Sequence, residues 1–294
     1  MIIWLASYPR SGNTLLRTVL KQTMGLDSYS DERPIVTFTE AAKGEFGYVL
    51  PSEPWEAFYK SASVSSEIYL VKTHLPPQDD QPAIYIVRDG RRSLVSYHKY
   101  HQQFLGKQAL SQLALVLDAD YYGGWSEHYR NWVSSSRKTL LLRYEDLVNA
   151  SPDLLKSIAQ FIGYGGQVLD WGNPFERLHK ENPNFFRHGE SAWQGAPGWT
   201  PQINALFFLL HGDLMKMLGY TEQEAIEKER VLLTTELVDC VELVKSLQKQ
   251  NKALEGICRE RLSVINVLDK EVKRLKELCL QPQSIFKRMV SWRV

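Results

Sequence analysis

The sequence predicts an α/β domain, a parallel sheet flanked by helices, followed by a C-terminal α-helical coiled coil. Short and nearly unbroken apolar runs recur at 2–6, 68–71, 83–87 and 139–142, and continuous hydrophobicity suits strands buried on both faces of a parallel sheet. Segments with helical apolar spacing separate these runs. Beyond Gly219 the composition changes: from Glu222 to Leu280 there is no proline and one glycine, and a seven-residue apolar period appears.

Taken in order, the run 2–6 ends in the turn Ser7-Tyr-Pro-Arg-Ser-Gly12, and Thr14–Lys21 carries helical spacing, so the chain opens as strand, loop and helix. Residues 27–64, with Pro34, Pro51 and Pro54, read as an irregular excursion, either a surface insertion or a cover for a ligand cleft. Helices are expected over 89–105, 109–117, 122–135, 152–163 and 201–218, the crossovers that parallel strands need. This first domain spans 1–220. In the element 221–280, Leu237, Val244, Asn251, Cys258, Ile265, Val272 and Cys279 fall at a positions. Leu233, Cys240, Leu247, Leu254, Arg261, Leu268 and Leu275 fall at d positions, and twelve of the fourteen are apolar. A coiled coil through residues 233–279, joining copies of the chain as a homo-oligomer, is expected. Asn251 at an a position favours a dimer, whereas apolar flanks at Val241, Leu243, Ile257, Leu262 and Val264 widen the stripe towards a higher oligomer or towards packing on the first domain. The tail 281–294 mixes basic and aromatic residues, as a docking or disordered terminus or a peripheral membrane contact does.

Composition bounds the function. Of 294 residues, 44% are hydrophobic, and 35 Lys plus Arg balance 34 Asp plus Glu to a net charge of +1. No basic excess calls for nucleic acid, so any anion site is local. Cys240, Cys258 and Cys279 make neither a disulfide framework nor a metal pattern. The longest apolar stretch, Ala205–Leu210, is far short of the ~20 residues of a spanning helix, and the first residues lack a charged leader region. A cytoplasmic protein without a transmembrane segment is expected.

The loop Ser7–Thr14 lies where backbone N–H groups and a helix dipole favour an anion. Against the GxxxxGK[ST] pattern of nucleotide-binding loops, Gly12 and Thr14 fit, Ser7 replaces the first glycine and Asn13 replaces the lysine. The cation has moved to Arg10, whose guanidinium can clamp an anion bidentately. The loop is P-loop-like without the usual ATP lysine.

Five further segments extend this. Lys72-Thr-His-Leu-Pro76, Arg88-Asp-Gly-Arg-Arg-Ser-Leu-Val-Ser96, Tyr122–His128 with Trp132, Arg143-Tyr-Glu-Asp-Leu147 and Arg187-His-Gly189 follow the loop in order. Together with the loop, they resemble the sulfotransferases that use 3′-phosphoadenosine 5′-phosphosulfate (PAPS), over about residues 2–200. The resemblance implies PAPS as donor co-substrate, no metal, and an acceptor that is a small-molecule, glycan or lipid hydroxyl. It assigns the 5′-phosphosulfate to Arg10, Ser11, Gly12, Asn13 and Thr14, the 3′-phosphate to Arg88 and Ser96, adenine to Tyr144, and a loop closing on the 3′-phosphate to Arg187, His188 and Gly189. His74 is the expected general base. Lys72, two residues earlier on the same side of an extended segment, stabilises the sulfuryl or bridging oxygen, and Arg10 joins it at the leaving group. The chain departs from the family in Arg10 for a usual lysine, Leu15 for a common tryptophan, His188 for a basic residue, and the missing short dimerisation motif, whose task falls to the heptads.

Several residues read as structural. Arg91 and Arg92 are expected as solvated helix charges, and Trp125, His128 and Trp132 as packing residues. His98 and His101 are expected to line the acceptor pocket, since no further ligand stands at metal spacing. Two other functions compete: an ATP- and Mg²⁺-dependent kinase-like phosphotransferase using Asp89, and a non-catalytic nucleotide-binding coiled-coil scaffold.

Overall fold

The computed structural model describes residues 1–30, 44–106, 110–117, 122–133, 137–181, 193–230 and 235–280. Five strands, β1 (Ile2–Ser7), β2 (Tyr29–Ser30), β3 (Tyr69–Thr73), β4 (Ala83–Val87) and β5 (Thr139–Arg143), form a sheet in the order β2-β3-β1-β4-β5. Every neighbouring pair is parallel. β1 is central and β4 beside it, and both are buried along their whole length, which is why their sequences show no polar alternation.

Alternate side chains of β1 serve opposite faces. Ile3 and Leu5 pack with Leu16 and Leu20 of α1 (Asn13–Met24), Ile84 and Ile86 of β4, and Ile158 and Ile162 of a later helix, Pro152–Ile162. On the other face Trp4 meets Trp55 and Tyr59 of α2 (Trp55–Val64), with ring centroids 6.4 and 6.3 Å away. Trp132 closes that side at 6.2 Å. The intervening helices are α3 (Gly90–Leu105), α4 (Gln112–Val116), α5 (Trp125–Trp132) and α6 (Tyr144–Val148), and the 152–162 helix is α7. Then follow α8 (Phe175–Glu181), α9 (Pro201–Met217), α10 (Gln223–Arg230) and the 46-residue α11 (Thr235–Leu280).

The expected strands and long helices appear within two or three residues of their predicted ends. The stretch 27–64 is less irregular than expected, since it contributes β2 and α2, while 31–43 lie outside the described residues. β2, α6 and α8 carry too few residues to show a period. Two compact units emerge, Met1–Thr235 and Glu236–Val294. α10 lies in the first unit: Ile226 is fully buried, and its Cγ2 lies 3.0 Å from where a Cβ on Gly212 of α9 would stand. In the second unit α11 exposes Val244, Leu247, Leu254, Ile265, Leu268, Val272 and Leu275 at its a and d positions. Leu233 and the tail from 281 lie outside the described residues. No helix among the described residues is long and apolar enough to cross a membrane.

Candidate active site

The strand order makes the crossover from β1 run to one side of the sheet and β4 fall on the other, so the carboxyl ends of β1, β3 and β4 converge where such sheets bind ligands. The Ser7–Thr14 loop leaves β1 at that point. Arg10 takes φ 63°, the one non-glycine with positive φ among the described residues, and Gly12 takes φ 111°. Left-handed backbone at two positions wraps the loop tightly onto the start of α1. α1 starts at Gly12 with no side chain capping its first N–H groups, whereas Asp89, Ser111, Ser151 and Thr200 each cap the helix that follows them. An anion is the partner such a terminus favours.

Around this loop the predicted residues separate into those that face the cleft and those that hold it. Asn13 is buried and its side-chain amide donates to the carbonyl of Leu5 at 2.7 Å and to Ser7 Oγ at 3.4 Å, so the amide braces the loop against β1. Ser11 Oγ pairs with Ser93 Oγ at 3.1 Å beneath the loop. Thr14 stands half-buried in the first turn of α1 and its carbonyl accepts from Thr18 Oγ1 at 2.9 Å. Arg10 Nε donates to Ser96 Oγ at 3.4 Å and the guanidinium sits 5.2 Å from the Tyr100 ring. Arg88 Nη1 donates to the carbonyl of Arg10 at 3.2 Å and the Arg88 guanidinium lies 4.2 Å over the ring of Tyr144. A Cβ on Gly12 would stand 2.6 Å from Tyr144 Cδ2. Arg10, Gly12, Arg88, Ser96 and Tyr144 thus form one contiguous surface, although the sequence divides them between three segments. Arg187, His188 and Gly189 lie outside the described residues.

His74 follows β3 on the register that pairs Ala6 with Thr73, which brings its ring to the end of β1. Its Nδ1 is 2.7 Å from the carbonyl oxygen of Ser7. A carbonyl only accepts, so Nδ1 carries the proton and Nε2 the lone pair. Burial first, then the nearby Lys72 charge, hold the imidazole well below its ordinary range, with His128 and Arg10 pushing the same way. The cations expected to meet the reacting group are therefore close enough to act on the base. Tyr122 faces His74 edge-on at 5.8 Å and Tyr97 at 6.4 Å from Tyr122, an aromatic wall that sequence reading did not single out.

The second layer is made by α5. His128 Nε2 donates to the carbonyl of His74 at 2.8 Å and its Nδ1 accepts from the Tyr85 hydroxyl at 2.9 Å. Trp132 Nε1 donates to the carbonyl of Leu75 at 3.0 Å. Both residues are buried, and burial lowers His128 to about 4, so it stays neutral. Their structural role is to fix the backbone of the residues after β3. Arg91 departs from expectation. It is buried, its guanidinium holds Asp89 at 3.1 and 2.7 Å, and it stacks 4.5 Å from Trp193. The start of α3 is pressed against α9, Gly90 leaving room for Trp125 and Phe207, and Trp193 and Phe208 flank the Arg91 guanidinium, so little of it reaches water. His98 Nδ1 donates to the carbonyl of Leu110 at 2.8 Å and the Leu110 N–H donates to His101 Nδ1 at 3.3 Å, so the two histidines clasp that backbone.

With this geometry in hand, comparison with known proteins is decisive. A family model described as the sulfotransferase domain matches residues 2–180. The chain belongs to the sulfotransferase family. Sulfotransferase 4A1 of Mus musculus is 22% identical over 201 residues, 60% of this chain and 65% of that protein. Sulfotransferase 2A2 of Mus musculus is 28% identical over 177 residues, 54% of this chain and 58% of that one. The chain thus spans less than two thirds of the length of either curated relative. The crystal structure of mouse sulfotransferase SULT7A1 complexed with PAP is also similar, at 19% identity over 78% of this chain and 87% of that one, with a TM-score of 0.47.

Proposed function

We propose that this sulfotransferase moves a sulfuryl group from PAPS to a hydroxyl of a small molecule, glycan or lipid, with His74 as general base. The observation that carries the reading is a neutral imidazole beside the Ser7–Thr14 loop: the Ser7 carbonyl leaves the lone pair on Nε2, and burial first, then Lys72 and more weakly Arg10, lower its affinity for protons. The residues fit the donor nucleotide. The uncapped start of α1 with Arg10 suits a 5′-phosphosulfate, Arg88 and Ser96 suit a 3′-phosphate, and Tyr144 with Gly12 offers a flat ring. Bound there, the nucleotide supplies the transferable sulfuryl group.

His74 Nε2 takes the acceptor's proton as its oxygen becomes nucleophilic. Lys72 and Arg10 stabilise the charge that grows on the sulfuryl and leaving-group oxygens, in place as fixed cations before the reaction begins. His128 and Trp132 keep the 74–75 backbone from moving, which preserves alignment. Asp89, the metal ligand of the competing kinase-like reading, has Oδ1 accepting from the backbone and Nε of Arg91 and Oδ2 from Arg91 Nη2. Self-association through residues 233–279 and a cytoplasmic location complete the proposal, supported by the exposed apolar a and d positions of α11 and by cysteines in no disulfide pattern.

Calorimetric titration with adenosine 3′,5′-bisphosphate and with ATP, each with and without Mg²⁺, tests the reading. Metal-independent binding of the bisphosphate, with none for ATP, is the expected result. Mg²⁺-dependent binding of ATP overturns it in favour of a phosphotransferase, and heat from neither ligand overturns the assignment of the loop to a nucleotide donor.

A further inference from the structure

We infer that α11 pairs with α11 of a second copy in antiparallel orientation, in the register that sets Asn251 of one chain against Arg261 of the other. This rests on the proposed self-association and adds its direction. The seam of α11 holds two polar interruptions, Asn251 at an a position and Arg261 at a d position, ten residues apart. In a parallel pair each a or d residue meets its own copy, so two Arg261 guanidinium groups would face each other in the seam. In an antiparallel pair a meets d, and one register brings both interruptions together. That register sets Leu237 against Leu275, Val244 against Leu268, Cys258 against Leu254, Ile265 against Leu247 and Val272 against Cys240.

Every other layer is then apolar, and the two arginines stand about 15 Å apart along the axis, ten residues at about 1.5 Å each. The amide of Asn251 is already oriented for the task. Its Nδ2 donates to Glu255 Oε1 at 3.3 Å on its own helix, which presents Oδ1 as the acceptor for the partner's guanidinium. A parallel pair would gain an exposed Glu271–Lys276 ion pair between chains, which contributes little. Burial of the partly exposed Val244, Leu247, Leu254, Ile265, Leu268, Val272 and Leu275 drives association in either direction, so the polar residues decide between them.

The experiment uses the full chain with Cys240, Cys258 and Cys279 replaced by alanine and Lys273→Cys carrying a nitroxide label, measured by pulsed electron resonance after sedimentation has fixed the oligomer. A label-to-label distance of about 50 Å is expected, thirty-four residues of helix at about 1.5 Å each. A distance of about 20 Å, two helix radii on either side of an interaxial spacing of about 10 Å, overturns the antiparallel register while self-association stands. A monomer overturns both. Asn251→Glu checks the same register independently: it places a carboxylate against Arg261 and tightens the antiparallel dimer at least about fivefold, whereas a parallel dimer weakens because Glu then faces Glu.

Discussion

His74 donates from Nδ1 to the Ser7 carbonyl, and the same hydrogen bond that orients the ring also leaves the lone pair on Nε2. Replacing it with alanine removes the proposed base and leaves the contacts among Arg10, Arg88 and Ser96, the proposed phosphate site, in place, because the hydrogen bonds from Arg10 to Ser96 and from Arg88 to the Arg10 carbonyl do not use the His74 ring. His74→Ala is expected to lower kcat by about 10²–10⁴ while the affinity for adenosine 3′,5′-bisphosphate is unchanged; retained full turnover would remove His74 from the mechanism. The pH dependence follows from the two buried histidines. His74 is held well below its usual value, and His128 lies at about 4. The unfolded chain protonates both near about 6.5, so below that pH it binds more protons than the folded chain, and stability is lost as pH falls from about 6.5 towards 4. Urea unfolding at pH 7.5, 6 and 5 should show this loss, and His128→Gln should flatten it; an unaltered slope in that variant would mean His128 is not the titrating group.

At the scale of elements, the Ser7–Thr14 loop depends on Gly12 for two reasons at once: its φ of 111° and the approach of Tyr144 Cδ2 to 2.6 Å of a would-be Cβ. Gly25 at the other end of α1 also has positive φ, 70°, yet has nothing within 4 Å. Gly12→Ala is expected to cost about 1–3 kcal/mol in unfolding free energy and to weaken bisphosphate binding by displacing Tyr144 from beneath Arg88. Gly25→Ala costs about 1–2 kcal/mol with binding unchanged, so equal loss of binding in both variants would refute the role of the Tyr144 contact. What the sequence discloses divides along similar lines. β4 is legible residue for residue at 83–87 because a fully buried strand must be apolar throughout. The carbonyls of Ser7, His74 and Leu75, which position the base and are bound by His74, His128 and Trp132, are illegible because every residue has one. Arg91 misleads because its charge suggests water, whereas its partner Asp89 is two residues away and α9 covers both.

Across the whole molecule, every residue assigned to the site among those described falls in the unit Met1–Thr235, and α10 belongs to that unit despite its helical, charge-rich sequence. The reason is Ile226, fully buried with its side chain 3.0–3.5 Å from the position a Cβ on Gly212 would take. Gly212 thus lets α10 lie close on α9, and α9 in turn supplies Phe207 beneath Gly90 at the start of α3. A chain ending at Thr235 should therefore unfold in one cooperative transition and turn over at the rate of the full chain per site. One ending at Tyr220 uncovers α9 and loses stability, and Ile226→Ala in the full chain should cost about 2–5 kcal/mol by opening a cavity over Gly212. Urea titration of the three proteins decides the matter. If the chain ending at 220 matches the one ending at 235, α10 contributes nothing to the catalytic unit and the boundary belongs where the change in composition first suggests it.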